Sequence, residues 1–501
     1  MQDRRELERA RIDGRAAFAG AAYLIGLGLI FLLARVGAPD GLVRALGPLF
    51  ALSGLALLGL LTRSARVPAF FAADRAIPAP YAGLAFAAIA AGLVVCLGPP
   101  GDSPLPLAGV ALGLAVGALA VGPLLRATGA SAPADLLATR FTSRPLRLLL
   151  AALLFVIGAL VATAGFEAAA NALIALFALS RGAAAAIVAA VVALTIVPGG
   201  LAGLIWGAAA SAGIVLVILY LPIAGQFFAS DPAIWPPLRE AGLWSGALAR
   251  SWSAGAGDSQ ADMLVVVASA LAIAALPLFT APAAASSGER QALRAGGFGL
   301  IFAALIGLAA FIDPIVWSAP PAPMTSGLKS SAILLAALAL AVAGAHSASR
   351  AWGLTNADGV DRQYPPLASQ RLARSRALAL VVIALCAGLT DRLILEPQFA
   401  IVAAATAALG LTAPVLALAL FSRATSAQAI ASLSASLATA LALGALERRV
   451  PDAGRLLIGA LSAATAGFAA GWTVAIFSRH GRKQTAPLSD LFIDAPLDPQ
   501  G

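Results

Sequence analysis

Residues 148–176 read LLLAALLFVIGALVATAGFEAAANALIAL, a long apolar run whose only charged side chain is Glu167. A helix needs about 20 such residues to cross the hydrocarbon core of a bilayer. The run lacks the alternation of apolar and polar residues that is typical of a β-barrel strand. Because lipid offers no hydrogen-bond partners to the backbone, a transmembrane helix is the predicted structure.

Similar apolar stretches follow one another along the rest of the chain. They are 16–36, 46–62, 78–98, 104–125, 183–200, 203–226, 263–282, 296–316, 331–349, 376–391, 398–421, 426–446 and 455–477. The 501 residues are 60% apolar and 11% charged, whereas soluble domains carry roughly 25% charged residues. We therefore predict an all-α polytopic membrane protein with about 14 transmembrane helices.

The distribution of basic residues predicts the orientation of these helices. Most Lys and Arg residues lie at the two termini or in alternate loops, as the positive-inside rule requires for cytoplasmic termini. We expect a bacterial-type inner (plasma) membrane protein, in which 16–36 is a retained first span. The net charge of +9 then reflects topology. No cluster of aromatic and basic residues suits base stacking, so the lipid bilayer, and not nucleic acid, is the expected partner.

Several classes of protein are excluded by what the chain lacks. Both cysteines, Cys96 and Cys386, lie in apolar stretches, which argues against a disulfide framework or a zinc site. His346 and His480 are the only histidines, too few for a metal cluster. No Walker A pattern and no nucleophile–base pair occurs. We expect no enzyme activity, no bound cofactor and no ATP-driven pump.

Four short segments carry a resemblance to a known family. They are FFAADR at 70–75, ADLLATRF at 134–141, VPGGLAGLIW at 197–206 and LPLF at 276–279, the last followed by a loop with Arg290 and Arg294. Their order, spacing and predicted membrane side resemble those of the sodium:solute symporter family. The resemblance is strongest to its acetate and short-chain monocarboxylate permease branch. The resemblance covers about residues 65–395.

The resemblance implies a LeuT-type core of two inverted repeats, each of five helices. Core helices 1 and 6 would be 78–98 and 263–282, broken near the midplane at Gly92 and Pro277, and core helix 8 would be 331–349. For Gly92, close helix packing is an equal alternative. The implied division is 1–65, an N-terminal tail with two peripheral helices; 66–421, a ten-helix transporter core; 422–480, two C-terminal helices; and 481–501, a polar cytoplasmic tail.

The polar positions of the family are replaced in several places. Ile89, Gly92 and Val95 occupy the part of core helix 1 that usually carries an Asp and serines. Core helix 8 can be aligned with the family in two registers. One puts Ala348 and Ser349 at the sodium-binding positions of the family, and the other puts Ala351 and Trp352 there. Ser349 could supply one hydroxyl to a weakly bound Na⁺, whereas the second register supplies no oxygen. The coupling ion implied by the family is Na⁺, with H⁺ as the alternative.

Ionisable groups inside spans are costly and need a reason to be there. Glu167, with Asn171 four residues later on the same helix face, is interpreted as a proton or ion site, or else as a helix-packing hydrogen bond. His346 could carry a coupling proton, beside Ser347 and Ser349. Arg350 could hold a carboxylate, although a positive-inside arginine at a helix end is the favoured interpretation.

These observations favour a secondary active transporter that moves a small organic anion, such as acetate, by alternating access. The candidate binding residues are Gly92, Glu167, Asn171, Pro277, His346, Ser347 and Ser349. The alternative is a transport-inactive, symporter-like membrane sensor or assembly partner, suggested by the replaced polar positions. A small membrane subunit is a candidate partner.

Overall fold

The computed structural model of the protein is helical throughout its described part. It describes residues 21–98, 105–141, 143–228, 260–316, 323–357, 368–393, 395–421, 424–446 and 453–477, and every regular element in these ranges is a helix. The start of the first predicted span, most of the predicted loop 227–262 and the tail 481–501 lie outside the described residues.

The helices follow the predicted order. Two peripheral helices, Ala21–Arg35 and Asp40–Leu61, come first. Core helices 1 to 10 are Ala79–Leu97, Leu107–Ala127, Arg144–Phe177, Arg181–Gly199, Leu201–Phe228, the pair Gln260–Ala274 and Pro277–Ala284, Glu289–Val316, Pro323–Ala357, Ala368–Arg392 and Pro397–Leu420. Ser426–Leu446 and Ala453–Phe477 follow, and the short helices Val67–Ala72 and Pro133–Arg140 precede core helices 1 and 3.

The predicted fold class is confirmed. Among the described residues, twelve helices are long and apolar enough to cross a membrane, and the bent pair in core helix 6 makes a thirteenth. Ala21–Arg35 is apolar but shorter, so the count of about 14 is approximate. Several helices run beyond their predicted ends, as core helix 9 does at Ala368–Arg392 against the predicted 376–391. Arginines end the apolar stretch there, but a helix continues wherever its backbone groups remain paired.

Several of the main contacts between core helices follow the symmetry of an inverted repeat. Core helix 1 packs on core helix 7, and its counterpart, core helix 6, packs on core helix 2. Core helices 3 and 8 pack on each other, as do core helices 4 and 9. Core helix 10 packs on core helix 3, as core helix 5 packs on core helix 8. Exchanging the first five helices for the second five therefore leaves these contacts unchanged, which is the expected 5+5 arrangement.

Core helices 3 and 8 cross at glycine positions that bring the two backbones together. A Cβ on Gly344 would lie 2.4 Å from the backbone nitrogen of Ala162, and one on Gly158 would lie 2.6 Å from that of Ala348. Gly165 meets the backbone of Ala341 in the same way. Small residues permit such crossings in membranes, where van der Waals contact replaces the hydrophobic effect as the driving force.

The two core helices that were predicted to be broken differ from each other. Core helix 6 bends by 54° at Ala275 and Leu276, immediately before Pro277, so this break is confirmed. Core helix 1 continues without interruption through Gly92, so the break predicted there is wrong. A Cβ on Gly92 would lie 2.2 Å from the carbonyl oxygen of Ala336 in core helix 8. Close helix packing, the alternative interpretation, is the observed role of this glycine.

Candidate ligand-binding cavity

A cavity lies where the bend in core helix 6 meets one end of core helix 8. Its volume is about 20 Å³, room for about one water molecule, and part of it opens to solvent. Pro277 and Thr280 line it from the bend, and His346, Ser347 and Arg350 line it from core helix 8. The cavity therefore combines a broken helix with hydroxyl, imidazole and guanidinium groups, the usual pattern of convergent polar groups in an apolar pocket.

Three of the predicted site residues, Pro277, His346 and Ser347, meet at this cavity. Ser349 is buried, but its hydroxyl donates a hydrogen bond of 2.8 Å to the carbonyl oxygen of His346, and it does not line the cavity. Gly92 packs on Ala336, as described above. The structure thus brings together the residues of the core helix 6 break and of core helix 8, and leaves the others apart.

Glu167 and Asn171 lie elsewhere on core helix 3. Leu154 of that helix lines the cavity, and a helical rise of 1.5 Å per residue places Glu167 about 20 Å further along the axis. The Glu167 carboxylate is 2% exposed and pairs with Arg181 at the start of core helix 4, whereas Asn171 is exposed. Arg181 Nε also donates to the carbonyl oxygen of Thr390 in core helix 9, at 2.6 Å. This group therefore ties three helices together.

Arg350 is the positive group of the cavity and is 5% exposed. Its Nη2 lies 2.9 Å from Asp135 Oδ2 and 2.7 Å from Ser131 Oγ. Asp135 also accepts hydrogen bonds from the backbone and hydroxyl of Ser131. Arg350 Nη1 is buried and has no hydrogen-bond partner among the described residues. One side of the guanidinium is therefore neutralised by Asp135, while the other keeps an unused donor.

The two phenylalanines before core helix 1, here called the Phe70–Phe71 pair, are held by arginines. The guanidinium of Arg350 lies 4.4 Å from the centre of the Phe71 ring, and that of Arg376 in core helix 9 lies 5.6 Å from the centre of the Phe70 ring. Gly200 approaches the Phe70 backbone so closely that a Cβ would lie 2.3 Å from its carbonyl oxygen. Cation–π contacts of this kind contribute about 0.5–2 kcal/mol each. They hold the segment before core helix 1 against core helices 8 and 9.

The imidazole of His346 lies one helical turn before Arg350. It is 6% exposed, and no hydrogen bond joins its ring to another described residue. The ring therefore presents unused hydrogen-bonding capacity at the cavity.

The oxygen ligands expected for Na⁺ are poorly represented around Ser349. The hydroxyl of Ser349 is engaged within its own helix, and the neighbouring Ala348 packs against Gly158. The carbonyl groups of core helix 1 are used in a continuous helix. A hard cation prefers several oxygen ligands, so these residues do not fit it. Nor does any group of three or more His, Cys, Asp or Glu side chains in the described ranges suit a metal ion.

Sequence reasoning missed the groups that surround Arg350 and Glu167. The motifs included Asp135 and Phe71 without giving them a role, and Arg181 lay outside every predicted span. Each of the three contacts a buried charge. Arg350 itself was interpreted as a positive-inside arginine at a helix end, and its burial and its ion pair with Asp135 were not expected. One signal was present in the sequence. Buried charges such as Glu167 and Arg350 need partners of opposite sign, and only a few acidic residues lie near the predicted spans.

Comparisons with known proteins agree with this architecture. Residues 70–228 match the sequence profile of the sodium:solute symporter family, a range that begins at Phe70 and ends with core helix 5. No curated protein matches the chain by sequence. The fold is similar to that of a Na⁺-coupled sialic acid symporter in a substrate-bound, outward-open state, with a TM-score of 0.68 and 15% identity over 88% of this chain and 99% of that chain.

The two comparisons cover different parts of the chain. The profile covers the first of the two five-helix repeats, and the structural likeness extends the same fold to both repeats. Both are comparisons with transporters rather than enzymes. Residues 70–228 therefore match the sodium:solute symporter family in sequence, within an integral membrane chain that has the LeuT fold.

Proposed function

We propose that the protein is a secondary active transporter that moves a small organic anion, such as acetate, together with a cation across a bacterial-type inner membrane. The cavity at the bend of core helix 6, with Arg350 in its wall, carries this proposal. In such folds a break in a membrane helix is tolerated where it lines a cavity. The acetate permease-like branch, suggested by the sequence motifs, gives the substrate class.

The chemistry of the cavity favours a short monocarboxylate. Arg350 is the only charged residue among the described residues that line it, and a guanidinium pairs well with a carboxylate. The remaining wall includes Leu154, Leu278 and Ala343, which suit a short alkyl group. A large polar solute would leave its hydroxyl groups unpaired against these side chains, which is costly.

Alternating access would require one group of helices to rock against the other. Core helices 2, 6 and 7 pack on one another, and core helices 3, 4, 8 and 9 form a second group, with core helix 1 packed on both core helix 7 and core helix 8. The Phe70–Phe71 pair connects the first group to Arg350 and Arg376 of the second. These contacts would separate when the cavity opens at this end, which we expect to face the cytoplasm with both termini.

Transport can be measured with purified protein in proteoliposomes. We expect saturable uptake of labelled pyruvate and acetate when Na⁺ and pH gradients are imposed separately, with competition from unlabelled short monocarboxylates but not from uncharged acetamide. Protein-free vesicles set the baseline, because acetic acid itself crosses bilayers. Absence of uptake under every gradient, from protein that elutes as a single species, would refute the proposal.

A second candidate function is that of a transport-inactive membrane sensor or assembly partner. The continuous core helix 1 and its fully buried Ile89 favour it, because no polar group replaces the missing break. Ligand binding without flux, or co-purification of a small membrane subunit, would support this candidate. Net uptake against a gradient would exclude it as the sole function.

A further inference from the structure

We propose that His346 carries the coupling proton, so that the transporter moves one proton with each monocarboxylate bound beside Arg350. This inference rests on the proposed function, which leaves the cation open. It deepens that function by naming the ion, the residue that binds it and the charge balance of the loaded site.

The first support is the placement of the imidazole. His346 is buried, lines the cavity and has no hydrogen-bond partner in the described part of the chain. Arg350, one turn away, also keeps an unpartnered buried donor at Nη1. Two unused groups that can donate to a carboxylate thus lie on one face of core helix 8. A bound carboxylate would satisfy both.

The second support is the set of charges around the site. Core helix 6 lines the cavity with Pro277, Leu278, Thr280 and Ala281, and core helix 3 does so with Leu154, none of them titratable. Asp135 of the short helix Pro133–Arg140 pairs with Arg350, and Arg376 of core helix 9 stacks over Phe70. Arg350, with its partner Asp135, is therefore the charge that His346 faces most directly.

Charge balance then couples the proton to the anion. With His346 neutral, the Arg350–Asp135 pair leaves the site without net charge, and a carboxylate alone would bring one negative charge into a poorly solvated place. A proton alone would place a second positive charge beside Arg350. Together they restore neutrality, so each favours binding of the other, and by linkage the effect is reciprocal. The proton comes from water on one side and returns to water on the other.

The third support is the poor fit of sodium. Ser349 uses its hydroxyl within core helix 8, and core helix 1 is unbroken. The oxygen ligands that a hard cation needs are therefore not assembled at the position suggested by the family. A proton needs only one basic atom, which the imidazole supplies.

Vesicle transport in Na⁺-free choline buffer tests the proposal. For one-to-one symport with a proton, an inward gradient of one pH unit supports about tenfold accumulation of pyruvate, with no effect of membrane potential or added Na⁺. His346→Gln, which keeps hydrogen bonding but cannot take the proton, is expected to lose this accumulation. Ser331→Ala, a buried hydroxyl elsewhere on the same helix, is the matched control and should behave as wild type.

A binding measurement keeps the test decisive if His346→Gln folds poorly. Calorimetric titration of wild-type protein with pyruvate, in buffers of different ionisation enthalpy, should show uptake of close to one proton per anion, and none in the variant. Accumulation driven by Na⁺, or proton-driven accumulation that persists in His346→Gln, would overturn the role of His346 while leaving the transporter intact. No binding and no flux under any gradient would overturn both proposals.

Discussion

The Gly344→Val variant is expected to give no stable, monodisperse protein. A Cβ at this position would lie 2.4 Å from the nitrogen of Ala162 and 2.9 Å from the carbonyl oxygen of Gly158, both backbone atoms of core helix 3. Backbone atoms of a packed helix cannot turn aside as a side chain can, so the two helices would have to separate. Overpacking a filled interior costs roughly 1–3 kcal/mol and occasionally more, and we expect the upper end here.

The measurement is thermal unfolding in detergent, followed by fluorescence-detected size exclusion. Gly297→Val in core helix 7 is the matched control, because nothing lies within 4 Å of a Cβ built there. It carries the same loss of helix propensity without the clash. Equal melting temperatures for the two variants would show that core helices 3 and 8 do not cross at Gly344.

The helical architecture could be predicted because lipid imposes it on each segment separately. The run 148–176, with its single charged residue, can satisfy its backbone only as a helix, and the structure has one at Arg144–Phe177. The end points were less predictable, since arginines next to an apolar stretch can extend its helix without being apolar. Core helix 9, longer than predicted at both ends, shows this.

Gly92 and Pro277 differ in how far the local sequence predicts a break in the helix. A proline removes a hydrogen bond and its ring clashes with the preceding turn, so Pro277 has only a few compatible structures, and the helix does bend there. A glycine permits a break and also permits another helix to approach. Which of these occurs at Gly92 depends on Ala336, more than 200 residues away in the chain. Only tertiary packing distinguishes the two.

The residues of the cavity could be predicted only where they lie on one helix. His346, Ser347 and Arg350 recur at helical spacing, so their common face could be inferred from the sequence. The partners of Arg350 could not, because Asp135 lies 215 residues away and Phe71 lies still further away, before core helix 1. The cost of burying a charge predicts that a partner exists but does not identify it.

Loss of Arg181 is the other change for which we expect a large effect. Arg181→Ala would leave the Glu167 carboxylate, 2% exposed, without its ion-pair partner in core helix 4. Removing one partner of a buried pair costs about 3–5 kcal/mol, because an uncompensated charge remains. Glu167→Gln should cost less, since the arginine side chain is 26% exposed and can reach water.

The double variant Glu167→Leu with Arg181→Ala identifies the role of the pair. If the pair holds core helices 3, 4 and 9 together, removing both charges should recover much of the stability lost in Arg181→Ala, as seen for buried pairs replaced by apolar residues. Thermal unfolding measures this recovery, and pyruvate exchange measures function. Additive losses would contradict a direct pair. Exchange that keeps its wild-type pH dependence in Glu167→Gln would assign Glu167 to structure, whereas loss of that dependence would assign the coupling proton to Glu167 in place of His346.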